Sequence, residues 1–238
     1  LHGIYLSILK NNNVALHHGR GVLVDPHTVE VDGKAITGAN ILIAVGGWPQ
    51  VPDIPGKEFA ISSNEALELK KLPKRMVIVG GGYIAVEFAG IFASLGVEVT
   101  EIVRADTVLR GFDEDIRVAL TDELRKRHVN VMCETVVESI EKHGNGYRLL
   151  LRGAETLDTD LVMYATGRAP NTKNLGLDAA GVKVKENGAI MVDEWSRTSV
   201  PHIYAVGDVT DRIALTPVAI MEGRAISETL FNNNPTKP

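Results

Sequence analysis

Gly80, Gly82 and Ala85 carry the most specific pattern in this 238-residue chain. They follow an apolar run, Met76-Val77-Ile78-Val79, and precede a segment from Ala85 to Leu95 that stops at Gly96. Glycine at 80 permits a tight turn. Glycine at 82 lets the main chain approach a phosphate, and a small residue at 85 lets a helix pack closely on a strand. The unpaired N–H groups and positive end of the helix then favour an anion. Capture of a dinucleotide pyrophosphate is the chemistry these residues allow. Arg104 stands after a second candidate strand, Val97 to Val103, with Arg110 further along the same loop. An NADH site usually has Asp or Glu there, about 20 residues past the glycines, to hold the ribose 2′-hydroxyl. Two guanidinium groups instead suit a 2′-phosphate, through bidentate, charge-assisted hydrogen bonds. NADPH is therefore favoured over NADH. Glu101 competes as a ribose carboxylate, but it lies inside the strand rather than at its end.

These residues need a strand, a turn, a helix and a second strand to hold them. The spacing predicts a buried strand over 77–79, a helix over 85–95 and a strand over 97–103, a βαβ unit. Upstream, residues 1–12 read as the end of a helix. Residues 14–45 read as short strands turning at Asp25-Pro26 and Asp32-Gly33. Pro49, Pro52, Pro55 and Gly56 mark a linker. Ser62–Lys71 reads as a helix capped by Ser62 or Ser63. Downstream, Asp113–Arg127 reads as a helix whose acidic start and basic end match its dipole. Strands are expected at 129–133, 136–142 and 146–152, and the last helix follows Pro217.

Hydrophobic content of 45% with 23% charged residues indicates a globular protein with a real core. A net charge of −5 gives no reason to expect a nucleic-acid partner. Apolar stretches such as Ile41 to Val45 are far too short to span a bilayer. The start, Leu1-His2-Gly3-Ile4, has neither the pattern of a signal peptide nor an initiator Met, so a piece of a longer protein is expected. Cys133 is the single cysteine, which fits a reducing compartment, the cytoplasm by default. It sits in an apolar run and is read as packing, without a role.

A weak internal repeat links three strand ends: Ala44-Val45-Gly46, Ala165-Thr166-Gly167 and Ala205-Val206-Gly207. In open α/β sheets ligands lie beyond such carboxyl ends. Together with the segments 41–56, 79–90, 103–113, 164–172 and 201–224, these residues resemble the pyridine nucleotide–disulfide oxidoreductases, and in particular the NADPH-using members that reduce glutathione disulfide. The arginine pair sets the chain apart from the members that use NAD with an acidic residue. Val45 departs from the Thr usual at its position.

The resemblance implies an α/β fold with two dinucleotide-binding domains, a three-layer parallel sheet with a β-meander, and a discontinuous FAD domain. Residues 48–166 would be the NADPH-binding domain, and 1–47 with 167–238 the remnants of the FAD domain. NADPH would lie against Gly80, Gly82, Tyr83, Ile84 and Ala85, with its 2′-phosphate on Arg104 and Arg110. Tyr83 would cover the flavin face and Glu87 would stand near the nicotinamide. Gly167, Arg168, Gly207, Asp208, Leu215 and Thr216 would complete the cofactor contacts, the last four toward FAD. The redox cysteine pair, the FAD glycine turn and the acid–base histidine of the family match nothing in these residues. No catalytic residue is therefore assigned in this chain, which is expected to be inactive alone and to hold FAD weakly. A small disulfide substrate and a homodimer are expected of the whole protein. An NADPH-binding module, or an NADPH dehydrogenase without disulfide chemistry, is the alternative.

Overall fold

A computed structural model describes residues 2–238, so the expected helix over 1–12 is testable from His2 onward. The chain divides into two compact units, Leu1–Trp48 with Ala169–Pro238, and Pro49–Arg168.

In the first unit, helix α1 (His2–Asn11) buries none of its side chains. Strands β1 (Gly21–Asp25), β2 (Thr28–Val31) and β3 (Lys34–Thr37) form an antiparallel meander. Its turns fall at Pro26-His27 and Asp32-Gly33, both Asp32 and Gly33 having positive φ. Strand β4 (Ile41–Ile43) follows, then β5 (Gly47–Pro49) at the start of the proline-rich stretch that was expected to be a plain linker.

The second unit is layered. After α2 (Ser63–Ala66) come β6 (Arg75–Val79), α3 (Tyr83–Ser94), β7 (Glu98–Ile102), α4 (Glu114–Lys126) and β8 (Asn130–Met132). Then follow β9 (Val137–His143), β10 (Gly146–Leu151), β11 (Thr156–Thr159) and β12 (Leu161–Tyr164). Strands β12, β6, β7 and β8 lie in that order as a parallel sheet, and β9, β10 and β11 as an antiparallel one. Sheet residues point alternately to two cores. Met76, Ile78 and Val99 pack with Phe88, Phe92 and Leu124 of α3 and α4. Val77, Ile102 and Val162 pack with Ile140, Leu149 and Leu151 of the meander. A strand covered on both faces must be apolar throughout, which is why Met76–Val79 reads as an unbroken run. Met76, Val77 and Ile78 are at most 1% exposed, and each such side chain stabilises the unit by about 1.5–3 kcal/mol.

The chain returns to the first unit within β13 (Arg168–Pro170), which pairs with β5, and then forms β14 (Ile203–Ala205), which runs parallel to β4 with Ile203 opposite Ile41. A 3-10 turn (Gly207–Thr210) and α5 (Thr216–Phe231) follow. Among the described residues no helix is long and apolar enough to cross a membrane.

Several boundaries differ from the sequence expectation. Helix α3 begins at Tyr83 rather than Ala85, because Gly82 already serves as its N-cap. Helix α2 ends at Ala66 rather than Lys71. Its capping box is present, Ser62 and Glu65 satisfying each other's termini, but only Ala66 is buried, too small a face to carry more turns. The strand expected over 129–133 covers only Asn130–Met132. Strand β11 was not anticipated, although Thr156-Leu157-Asp158-Thr159 alternates and follows a turn at Gly153-Ala154. Helix α5 begins at Thr216, one residue before Pro217.

Candidate dinucleotide-binding site

The turn between β6 and α3 is held from three sides. Gly80 has φ +147°, and its N–H donates to the Ile102 carbonyl at 3.0 Å. A methyl group built on Gly80 would overlap the Ala165 carbonyl oxygen and sit 3.3 Å from Ala85 Cβ. One on Gly81 would meet Val103 Cγ1 at 2.6 Å. One on Gly82 would meet nothing within 4 Å, so this residue faces open space. Ala85 is fully buried, as the close approach of helix and strand requires.

Helix α3 has no side-chain cap at Gly82, and its first intrahelical donor is Val86 N–H to Gly82 O at 3.1 Å. The N–H groups of Tyr83, Ile84 and Ala85 therefore make the open first turn of a helix, where an anion is stabilised. Tyr83 is 43% exposed beside this turn. Ile84 is half-buried, and Glu87 is exposed one turn further on.

Arg104 and Arg110 are both exposed, at the two ends of the loop that leaves β7. The loop is fastened to the glycine turn: Leu109, at φ +53°, donates its N–H to the Gly81 carbonyl at 2.6 Å. The loop that carries Arg104 and Arg110 is thus tied directly to the turn that carries Gly80, Gly82, Tyr83 and Ile84, with Ala85 buried beneath it. Gly167, at φ +150°, and exposed Arg168 follow β12, the strand next to β6.

Glu101 is excluded as a ribose ligand by its place. It is fully buried between Ile78 of β6 and Val131 of β8, and neither carboxyl oxygen has a hydrogen-bond partner. Burial pushes its pKa up to about 8. Cys133 lies just past β8, half-buried, with an Arg125 guanidinium nitrogen 3.7 Å from its sulfur. Burial raises its thiol above the ordinary value, the opposite of an activated nucleophile.

In the other unit, Gly207 and half-buried Asp208 open the 3-10 turn after β14. Leu215 is the N-cap of α5 and Thr216 its first residue, both exposed, with no side-chain cap. Sequence reasoning missed how this corner is fixed. Glu222, buried on α5, accepts from Gly207 N–H at 2.6 Å and pairs with Arg212 at 2.9 Å. Glu222 stands at helical spacing from Val218, Ala225 and Ile226, and a charge on that apolar face was the available signal, since such a group needs a partner. Gly46, Gly167 and Gly207, the ends of the three repeated strand motifs, all have positive φ.

A family model described as pyridine nucleotide-disulphide oxidoreductase matches residues 2–223. Glutathione reductase of Pisum sativum, chloroplastic/mitochondrial, is 52% identical over all of this chain and 43% of the pea protein. Glutathione reductase of a Nostoc species is 46% identical over 97% of this chain and 53% of its own length. The trypanothione reductase of Trypanosoma congolense is 48% identical over 83% of this chain and 41% of its own length. Among solved structures, the HOCl-induced flavoprotein disulfide reductase RclA of Escherichia coli superposes with a TM-score of 0.89 at 32% identity. That match covers 97% of this chain and 56% of RclA. The chain spans about half the length of these relatives.

Proposed function

This chain belongs to the pyridine nucleotide-disulphide oxidoreductase family, and from that we propose that it is part of an NADPH-dependent flavoprotein disulfide reductase, most like those acting on glutathione disulfide. Residues 48–166 serve as the NADPH-binding domain, and 1–47 with 167–238 as portions of the FAD domain. The observation that carries this reading is the Leu109 N–H to Gly81 O bond, which makes the open glycine turn and the two-arginine loop a single piece.

In that reading Gly82 and the first turn of α3 hold the pyrophosphate of NADPH, and Arg104 and Arg110 hold its 2′-phosphate. Tyr83 covers the nicotinamide pocket and Glu87 borders it. Gly167 and Arg168 lie at the cofactor edge of the sheet. Gly207, Asp208, Leu215 and Thr216 hold the ribityl and ring end of FAD, the α5 N-terminus favouring negative charge there. When bound, the flavin supplies hydride acceptance from NADPH and electron delivery to a disulfide. The dithiol for that delivery is not among these residues, since Cys133 stands alone. This chain by itself is therefore an NADPH-binding module. The whole protein is a homodimer of a reducing compartment, the cytoplasm in the simplest case.

Titration with NADPH and with NADH, followed by nicotinamide fluorescence, tests the cofactor assignment. Equal affinities would overturn it. Oxidation of NADPH by glutathione disulfide, measured on the whole protein, tests the substrate.

The glycines give a sharper check. Gly80→Ala is expected to destabilise the second unit by about 2–4 kcal/mol, because the new methyl meets a carbonyl at a φ that L-residues avoid. Gly82→Ala has an allowed φ of −85° and open space, so stability should stay within about 0.5 kcal/mol. Its methyl would nevertheless stand where the pyrophosphate approaches, and NADPH binding should fall. Unfolding curves and NADPH titrations of both variants decide this. A Gly82→Ala protein that binds NADPH normally contradicts the assignment of the turn.

A further inference from the structure

We propose that Arg117, on α4, is a positioning residue for 2′-phosphate recognition: it holds the loop that carries Arg104 and Arg110 and neutralises the acid inside it. The proposal rests on the reading of that loop given above.

Arg117 leaves α4 one turn after its N-cap and reaches back to three successive loop residues. Its Nη2 donates to Thr107 Oγ1 at 2.6 Å and to Asp106 Oδ1 at 3.2 Å, and its Nε donates to the Val108 carbonyl at 3.3 Å. Thr121, buried one turn further along α4, accepts from Val108 N–H at 3.4 Å and donates to the Arg117 carbonyl at 2.8 Å. The next residue, Leu109, is bonded to the glycine turn. The middle of the loop is thus tied to α4 at three residues and to the β6–α3 turn at a fourth, which leaves its two ends to present the arginines.

Charge makes the same arrangement necessary. Asp106 lies between Arg104 and Arg110 and is 75% exposed, while Arg117 is 21% exposed. A free carboxylate there would repel a dianionic phosphate arriving between the arginines. With Arg117 beside it, Asp106 contributes little net charge. Arg117 spends its own donors inside the loop, so it shapes the anion site without being one of its ligands. A surface ion pair alone would be worth little. The fork of three loop contacts is what distinguishes this residue from Arg125, the exposed arginine later on α4.

The experiment compares NADPH and NADH binding to the full chain and its variants by fluorescence titration. Arg117→Ala is expected to weaken NADPH binding about tenfold, leave NADH binding unchanged, and so lower the selectivity ratio by the same factor. Adding Asp106→Asn to Arg117→Ala should recover part of the loss, since the repelling charge goes. Thr107→Val, which removes the 2.6 Å contact and keeps every charge, should lower the ratio by a smaller factor, and it stands in should Arg117→Ala fail to fold. Equal loss of both cofactors in these variants would assign Arg117 a merely structural role and overturn the proposal. Unchanged NADPH binding in Arg117→Ala would overturn it as well, while leaving Arg104 and Arg110 in place. If the unmodified chain itself shows no preference for NADPH, the reading of the two arginines fails first, and this proposal with it.

Discussion

With Arg104 and Arg110 both replaced by alanine, NADPH is expected to bind on the order of a hundredfold more weakly, and NADH as before. A charge-assisted hydrogen bond is worth about 1.5–3 kcal/mol where it is shielded. Both arginines are exposed, and solvent screening brings the pair well below the sum of two such bonds. The same exposure predicts that raising salt from 0.05 to about 0.5 M erodes the preference in the unmodified chain. A phosphate monoester passes from dianion to monoanion as pH falls through about 6, so the preference should also shrink below that pH. Titrations of both cofactors against both proteins measure each effect. A double variant that loses NADPH and NADH to the same extent would show that the arginines hold the loop rather than the phosphate.

The glycine turn and the strand before it were legible because their signals are local. A turn at φ +147° demands glycine wherever the chain runs afterwards, and an unbroken apolar run before it can only be a strand covered on both faces. What the sequence hid depends on contacts between distant residues. Leu109 gives no hint that its N–H reaches Gly81, and Arg117 reads as one charged residue among many on a polar helix. Strand β11 was masked because four residues of alternation are too few to stand out without the neighbour, β10, that completes their hydrogen bonds. Helix α2 stopped short for the converse reason. Leu67 is 78% exposed, so helix-forming residues past Ala66 had nothing to bury against, and the chain turned toward β6 instead.

Glu101 is the place where local and global demands conflict, and replacing it should stabilise the protein at neutral pH. Its neighbours on the same face, Ile78, Val99, Val103 and Val131, are all buried and apolar, and its two oxygens find no donor. The folded protein therefore keeps it protonated up to about pH 8, whereas the unfolded chain ionises it near its ordinary value of 4.5. A folded pKa above the unfolded one gives stability that is fully present below pH 4.5 and lost as pH rises through about 8. At pH 7 the loss amounts to about 2–3 kcal/mol, at roughly 1.4 kcal/mol per pH unit with some allowance for relaxation. Glu101→Gln removes the ionisation and keeps the shape. It should be more stable than the unmodified chain by that amount at pH 7, and no more stable at pH 4. Glu101→Met, similar in length and apolar, should add a further gain at every pH by removing the unpaired oxygens, for a rise on the order of 10 °C in Tm at pH 7. Urea unfolding followed by far-UV circular dichroism at pH 4, 5.5, 7 and 8 gives the comparison, and hydrogen exchange at the β7 amides assigns it to the second unit. A difference between Glu101→Gln and the unmodified chain that does not grow with pH would mean that Glu101 is ionised in the folded protein, with a donor beside it that this structure does not have.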